Sequence, residues 1–145
     1  PNRELLSGTL VPNWLEVGAN SYKGGKNLIG TFSNYGKTKV DLFAPGVDIY
    51  STVPDNKYLN ESGTSMASPT TAGVAALIRC YFPELKAEEV KALLMKTVVP
   101  YKKNVIKPGT KKSKVKMTEL CISGGFVNAN NAVEDLMGLN KKKKN

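Results

Sequence analysis

The spacing of apolar residues changes near residue 65, and that change confines the chain to a mixed α/β architecture. Before it, WLEVGA (14–19), VDLFA (40–44) and VDIYSTV (47–53) are short runs rich in β-branched and aromatic residues, stopped by Gly or Pro. That is the composition of strands. They alternate only loosely between apolar and polar, as strands covered on both faces do. LIGTFSNYG (28–36) adds a short apolar piece with a turn at Asn34 to Gly36. After Ser65 the pattern becomes helical: Val74, Leu77, Ile78 and Tyr81 recur every three or four residues until Pro83. The Ala and Gly residues between them let such a helix lie close against a sheet. AEEVKALLMKTVV (87–99) puts Val90, Leu93, Leu94 and Val98 on one stripe, with Glu88 and Glu89 in the first turn and Pro100 as the stop. LCIS (120–123) reads as a strand and Gly124-Gly125 as a turn. Asn128 then caps a last helix through Ala132, Val133 and Leu136, closed by Gly138. Strands first and helices second describe part of an α/β layer structure, and no internal repeat interrupts it.

A chain of 145 residues with 41% hydrophobic content suffices for one domain with a core. No run of eighteen apolar residues suggests a membrane span. The first residues, PNRELLSGTL, lack both Met and the order of a signal peptide, and read as sequence from within a longer protein. The net charge of +9 is unevenly placed. Residues 101–118 carry seven lysines and no acid, the tail KKKKN carries four more, and the rest holds ten basic and twelve acidic residues. A nucleic-acid face normally uses Arg and stacking aromatics on a folded surface. With two Arg in the chain, the lysines read as a solvated loop and a solubilising tail, and no nucleic-acid partner is expected. Cys80 and Cys121 could form one bridge in a secreted protein, but two cysteines do not make a disulfide framework.

The stretch NESGTSMASPTTAGVAALI (60–78) raises a chemical question. A helix N-terminus offers unpaired N–H groups and a partial positive charge. A serine there could attack a carbonyl while those groups hold the oxyanion. Most Ser and Thr residues ahead of a helix are simply caps, so spacing alone does not select this role. Pro69 prefers the first helical position, which would make Ser68 the cap and leave Ser65 in the preceding turn. Either the helix begins late or its first turn is loosened, and both arrangements leave Ser65 exposed. The chain contains no histidine to activate the serine. Ser-Lys pairs exist, yet none of the lysines lies in the apolar setting that a base lysine requires.

Gly63-Thr64-Ser65-Met66-Ala67-Ser68-Pro69 resembles the nucleophile motif of the subtilisin-like serine peptidases. Other segments are similar in the same order: Val17-Gly18-Ala19, then Phe32-Ser33-Asn34-Tyr35-Gly36, then Val40-Asp41 with Ala44-Pro45-Gly46 and Ile49-Tyr50-Ser51-Thr52. Ala72-Gly73-Val74-Ala75-Ala76-Leu77 follows, and then Gly125-Phe126-Val127-Asn128-Ala129. The similarity runs from about residue 13 to 137. It implies part of a three-layer fold with a largely parallel sheet and flanking helices. On that footing residues 1–139 form the C-terminal portion of a peptidase domain, with 101–118 a lysine-rich surface insertion and 140–145 a basic tail.

By resemblance, Ser65 is the nucleophile of a Ser-His-Asp triad and its N–H is part of the oxyanion hole, with Gly63 and Thr64 shaping the turn beside the scissile bond. The family's Asp, His and oxyanion Asn precede the segment matched by Val17, so the missing base is expected upstream and this chain alone should be inactive. Thr70 stands where the family usually has a noncatalytic histidine. No cofactor is required; Asp41 matches a family aspartate near which some relatives hold a cation, so a structural Ca²⁺ in the full-length protein is the one metal the resemblance allows. The expected partners are a peptide or protein substrate and the upstream half of the domain. Localisation by resemblance is secreted or cell envelope. Two other readings stand beside the peptidase: a pseudoprotease whose upstream His or Asp has been lost, and a polyanion-binding scaffold using the lysines. Cutting such a sheet midway would leave a bare strand edge and an uncovered apolar face, so the isolated chain is expected to self-associate or to cover that edge with its own residues.

Overall fold

The computed structural model describes residues 11–25 and 27–139. The basic tail at 140–145 and the first ten residues lie outside the described residues. Two parallel strands organise the rest. β1 (Val17–Ser21) pairs with β2 (Leu42–Val47), with a register shift at Asn20/Ser21. β2 continues through Pro45-Gly46, where the sequence suggested its end. A hairpin follows: β3 (Ile49–Val53) pairs antiparallel with β4 (Lys57–Glu61) as a separate two-stranded sheet. Asp55 and Asn56 turn the hairpin with positive φ, a conformation those residues tolerate.

α1 (Thr64–Tyr81) crosses β1 and β2, and α2 (Ala87–Lys96) packs beside it. β5 (Val99–Pro100) then pairs with β8 (Gly125–Phe126), and β8 lies parallel to β2. The main sheet is therefore ordered β1-β2-β8-β5. Between β5 and β8 come a hairpin of β6 (Val105–Ile106) and β7 (Lys114–Val115) and a 3-10 turn at Met117–Glu119. α3 (Ala129–Leu136) closes the chain, capped by the Asn128 side chain accepting from Asn131 N–H at 2.8 Å.

Successive residues of β2 face opposite layers, as strand geometry requires. Leu42 packs with Ile78, Val90, Leu93, Leu94, Val98 and Ala132 on the helical side. Phe43 packs with Ile29, Val40, Val105, Met117, Leu120 and Cys121 on the other. Residues 101–118 are thus more than a solvated loop, because Val105 and Met117 are core residues. LCIS does not form a strand: Leu120 and Cys121 leave the 3-10 turn and are buried as coil. Val98 is buried as expected but follows the end of α2. Both cysteines are free, Cys80 exposed and Cys121 buried.

The outer edge of β1 is partly closed by the chain itself. Gly30 N–H donates to Ala19 O at 3.0 Å, Ser21 N–H to Leu28 O at 2.8 Å, and Ala19 N–H to Ser33 Oγ at 2.8 Å.

Candidate active site

The turn carrying Ser65 is held by backbone contact. Gly63 N–H donates to Gly46 O at 2.8 Å. A Cβ on Gly46 would meet Gly63 O at 2.6 Å, Ala19 Cβ at 2.8 Å and Ala67 Cβ at 3.0 Å. Ala19, Ala44 and Ala67 are completely buried around it. Only small residues allow helix and strands this close, and a glycine inside a strand marks such an approach. The reactive end of α1 is thereby indexed to β1 and β2.

Of the two arrangements that Pro69 left open, the structure takes the early helix start. Ser65 is the second residue of α1, whereas Pro69 lies inside the helix. Proline is disfavoured there because it has no N–H and crowds the preceding turn, and here the missing donor would have served the Ser65 carbonyl. The Thr70 hydroxyl lies 2.9 Å from Met66 O and 3.2 Å from Pro45 O, so its proton either closes that turn or ties it to β2. Met66 and Ala67 N–H groups return to Gly63 O at 3.1 and 3.3 Å. Thr64 and Ser65, the first two helical residues, have no helical acceptor for their own N–H groups. Gly63 makes no side-chain cap, and the first turn holds no acid. The positive end of the helix dipole therefore stays available beside an exposed Ser65.

Ser65 and Thr64 border an open cleft of about 770 Å³, walled by Trp14–Val17, Asn34, Tyr35, Lys39, Val40, Ser68 and Pro69. The wall at Asn34 is fixed from below, where buried Ser33 accepts from β1 and donates to Asn34 O at 2.8 Å. Asn34 Nδ2 reaches Thr64 Oγ1 at 3.5 Å. Gly63, Thr64 and Ser65 are thus assembled at one place, and Ser33, Gly46 and Thr70 emerge as the residues that hold them. All three stand in or beside the segments that resemble the family's motifs, but no sequence signal gave any of them this supporting role, and Pro45-Gly46 read as the end of the strand.

Asp41 does not share this cleft. It is fully buried, accepts Glu16 N–H at 2.7 Å, and has the Lys91 ammonium 3.6 Å from its other oxygen. That donor set does not fit a cation, because an ammonium already neutralises the carboxylate. Among the described residues no group of three or more His, Cys, Asp or Glu could hold a metal ion.

With the helix-borne serine and its cleft in place, the wider likeness is decisive. The model of the subtilase family, Peptidase S8, matches residues 2–134. This chain belongs to the subtilase family. This subtilase is 48% identical over 67 residues to subtilisin DY of Bacillus licheniformis, a match covering 46% of this chain and 24% of that protein. It is 35% identical over 133 residues to serine protease AprX of Bacillus subtilis (strain 168), covering 79% of this chain and 27% of that one. Among solved structures, the patellamide maturation protease PatA superposes with a TM-score of 0.67 at 28% identity, over 88% of this chain and 44% of that chain. The subtilase chain thus spans about a quarter of the length of those two sequence relatives.

Proposed function

We propose that the chain is the C-terminal part of a subtilisin-like serine endopeptidase in which Ser65 is the nucleophile. The observation that carries this reading is the seating of Gly63-Thr64-Ser65 on Gly46, which holds an exposed serine at the positive end of a helix beside an open cleft. Ser65 Oγ attacks the scissile carbonyl and its proton passes to a histidine. The negative charge that develops on the carbonyl oxygen is met by the Ser65 N–H and by the helix dipole. Collapse of that intermediate expels the amine and leaves an ester on Ser65, which water hydrolyses. The chemistry calls for no cofactor.

This chain holds no histidine, so the base, its aspartate and the second oxyanion donor are assigned to the upstream part of the same domain. Without the base the rate falls on the order of 10⁶-fold, so the 145-residue chain alone is inactive. Its substrates are peptides or proteins, and a secreted or cell-envelope location follows from the family likeness. Among the described residues no helix is long and apolar enough to cross a membrane.

Fluorophosphonate labelling of the natural full-length protein, with mass mapping of the Ser65 peptide, tests the reading. The expected result is label on Ser65, none after Ser65→Ala, and none on the 145-residue chain. An unlabelled full-length protein would mean a pseudoprotease scaffold. Label on the short chain would show that no upstream base is needed.

A further inference from the structure

The lysine-rich segment touches one wall of the cleft that holds Ser65, at Tyr35. β6 and β7 form its hairpin, and the Gly109 N–H at the hairpin tip donates to Thr31 O at 2.9 Å. The Lys107 ammonium stands 5.4 Å above the ring of Tyr35, which is itself a wall of the cleft. Farther along, Gly36 N–H donates to Leu120 O at 2.8 Å. The basic hairpin is thus tied to the 31–36 turn at two points, and the 3-10 turn that follows it at a third. Seven lysines lie between residues 101 and 118 without an acid. Six of them are exposed, and among the described residues none of the seven sits in an ion pair with a carboxylate. The nearest acid in sequence, Glu119, turns back to accept the Lys116 N–H at 3.2 Å. Like charges held together on a folded hairpin repel one another, and they raise the local concentration of anions over a Debye length of about 8 Å at physiological salt.

We infer that the β6–β7 hairpin is an accessory substrate site that selects polypeptides with an acidic segment beside the bond occupying the Ser65 cleft. The inference rests on the peptidase reading and names the substrate class for it. An acidic polypeptide fits better than a free polyanion because Lys107 is seated on the cleft wall. A chain leaving the cleft past Tyr35 would meet Lys107 first. Lysines on flexible stems suit such a role, since they attract negative charge without demanding one geometry.

The natural full-length protein carrying Ser65→Ala binds peptide without consuming it. Fluorescence anisotropy would compare a fluorescein-labelled peptide bearing a short run of glutamates with its glutamine counterpart. The glutamate peptide should bind about tenfold tighter at low salt, with the gap closing as salt rises. Replacing Lys111, Lys112 and Lys114 together by Gln should remove about tenfold from the glutamate peptide alone. Unchanged binding of the glutamine peptide reports that the variant is folded. In the Ser65-bearing protein the same triple substitution should raise KM for the glutamate peptide and leave kcat as it was. Equal affinities for the two peptides, or a gap that survives the triple substitution, overturn the inference. Heparin bound at the hairpin while the two peptides bind equally would assign the lysines to polyanions outside the cleft, and overturns it too. A full-length protein that takes no fluorophosphonate would end the peptidase reading, while the anisotropy comparison still decides this one.

Discussion

Gly46 shows how much of the site depends on the absence of one atom. Its missing Cβ lets Gly63 O and the Ala19 and Ala67 methyls close around it, and there is no flexible side chain there to move aside. Gly46→Ala should therefore destabilise the fold by about 2 kcal/mol, the usual range for overpacking a tight core. It should also slow fluorophosphonate labelling of Ser65 in the full-length protein, because the Gly63 turn must shift. Chemical denaturation and labelling rates check the two effects; an Ala variant of unchanged stability would mean that the seam has slack. At this scale the sequence was legible where chemistry is written in consecutive residues. GTSMASP drew attention to Ser65, which the structure leaves exposed at the start of α1, and small residues announced a close approach. The roles of Ser33 and Thr70 were not legible, because each acts through a hydrogen bond whose partner lies at a distance fixed only by folding.

The strands that read clearly, β1, β2 and β3, are those with β-branched or aromatic runs. β4 gave no signal, since KYLNE is exposed throughout, and it is a strand only because β3 and the Asp55-Asn56 turn supply register. β5 and β8 are two residues each and exist through pairing alone, so the helical stripe of α2 was read two residues too far. α1 carries the clearest consequence. Its stripe of Val74, Leu77, Ile78 and Tyr81 is only partly covered: Ile78 is buried, while Leu77 is 43% and Tyr81 71% exposed. Ala72, Gly73, Ala76 and Cys80 are exposed on the same helix. A long helix this apolar is built to be surrounded. The 145-residue chain should therefore self-associate through α1, and Leu77→Lys with Tyr81→Lys should shift it toward monomer. Sizing with light scattering reads this, and a monodisperse monomer of the unsubstituted chain counts against it.

Across the whole molecule, one sheet separates two cores. The helical core joins Leu42 to Ile78, Val90, Leu93, Leu94, Val98 and Ala132, and the opposite core is completed by Val105 and Met117 of the lysine-rich segment with Leu120 and Cys121 just after it. Burial pushes the Cys121 thiol above its ordinary value, opposed in part by its hydrogen bond with Ser123. The unfolded chain thus releases this proton at a lower pH than the folded one. Stability from Cys121 is fully present below the ordinary thiol range of about 8.5 and is lost as pH rises through the raised folded value. Denaturation midpoints across that range should fall with pH, and Cys121→Ala should flatten that part of the slope; an identical slope in the variant would rule the thiol out as its source. The second core also bears on how the molecule could change over generations. Val105, Val115 and Met117 fasten the two ends of the hairpin to the interior and Pro108 is buried beside the Lys107 and Gly109 contacts, while residues 111–114 are exposed. New lengths and charges at the tip would leave the Gly46–Gly63 seam under Ser65 untouched, so these two parts of the molecule can vary independently.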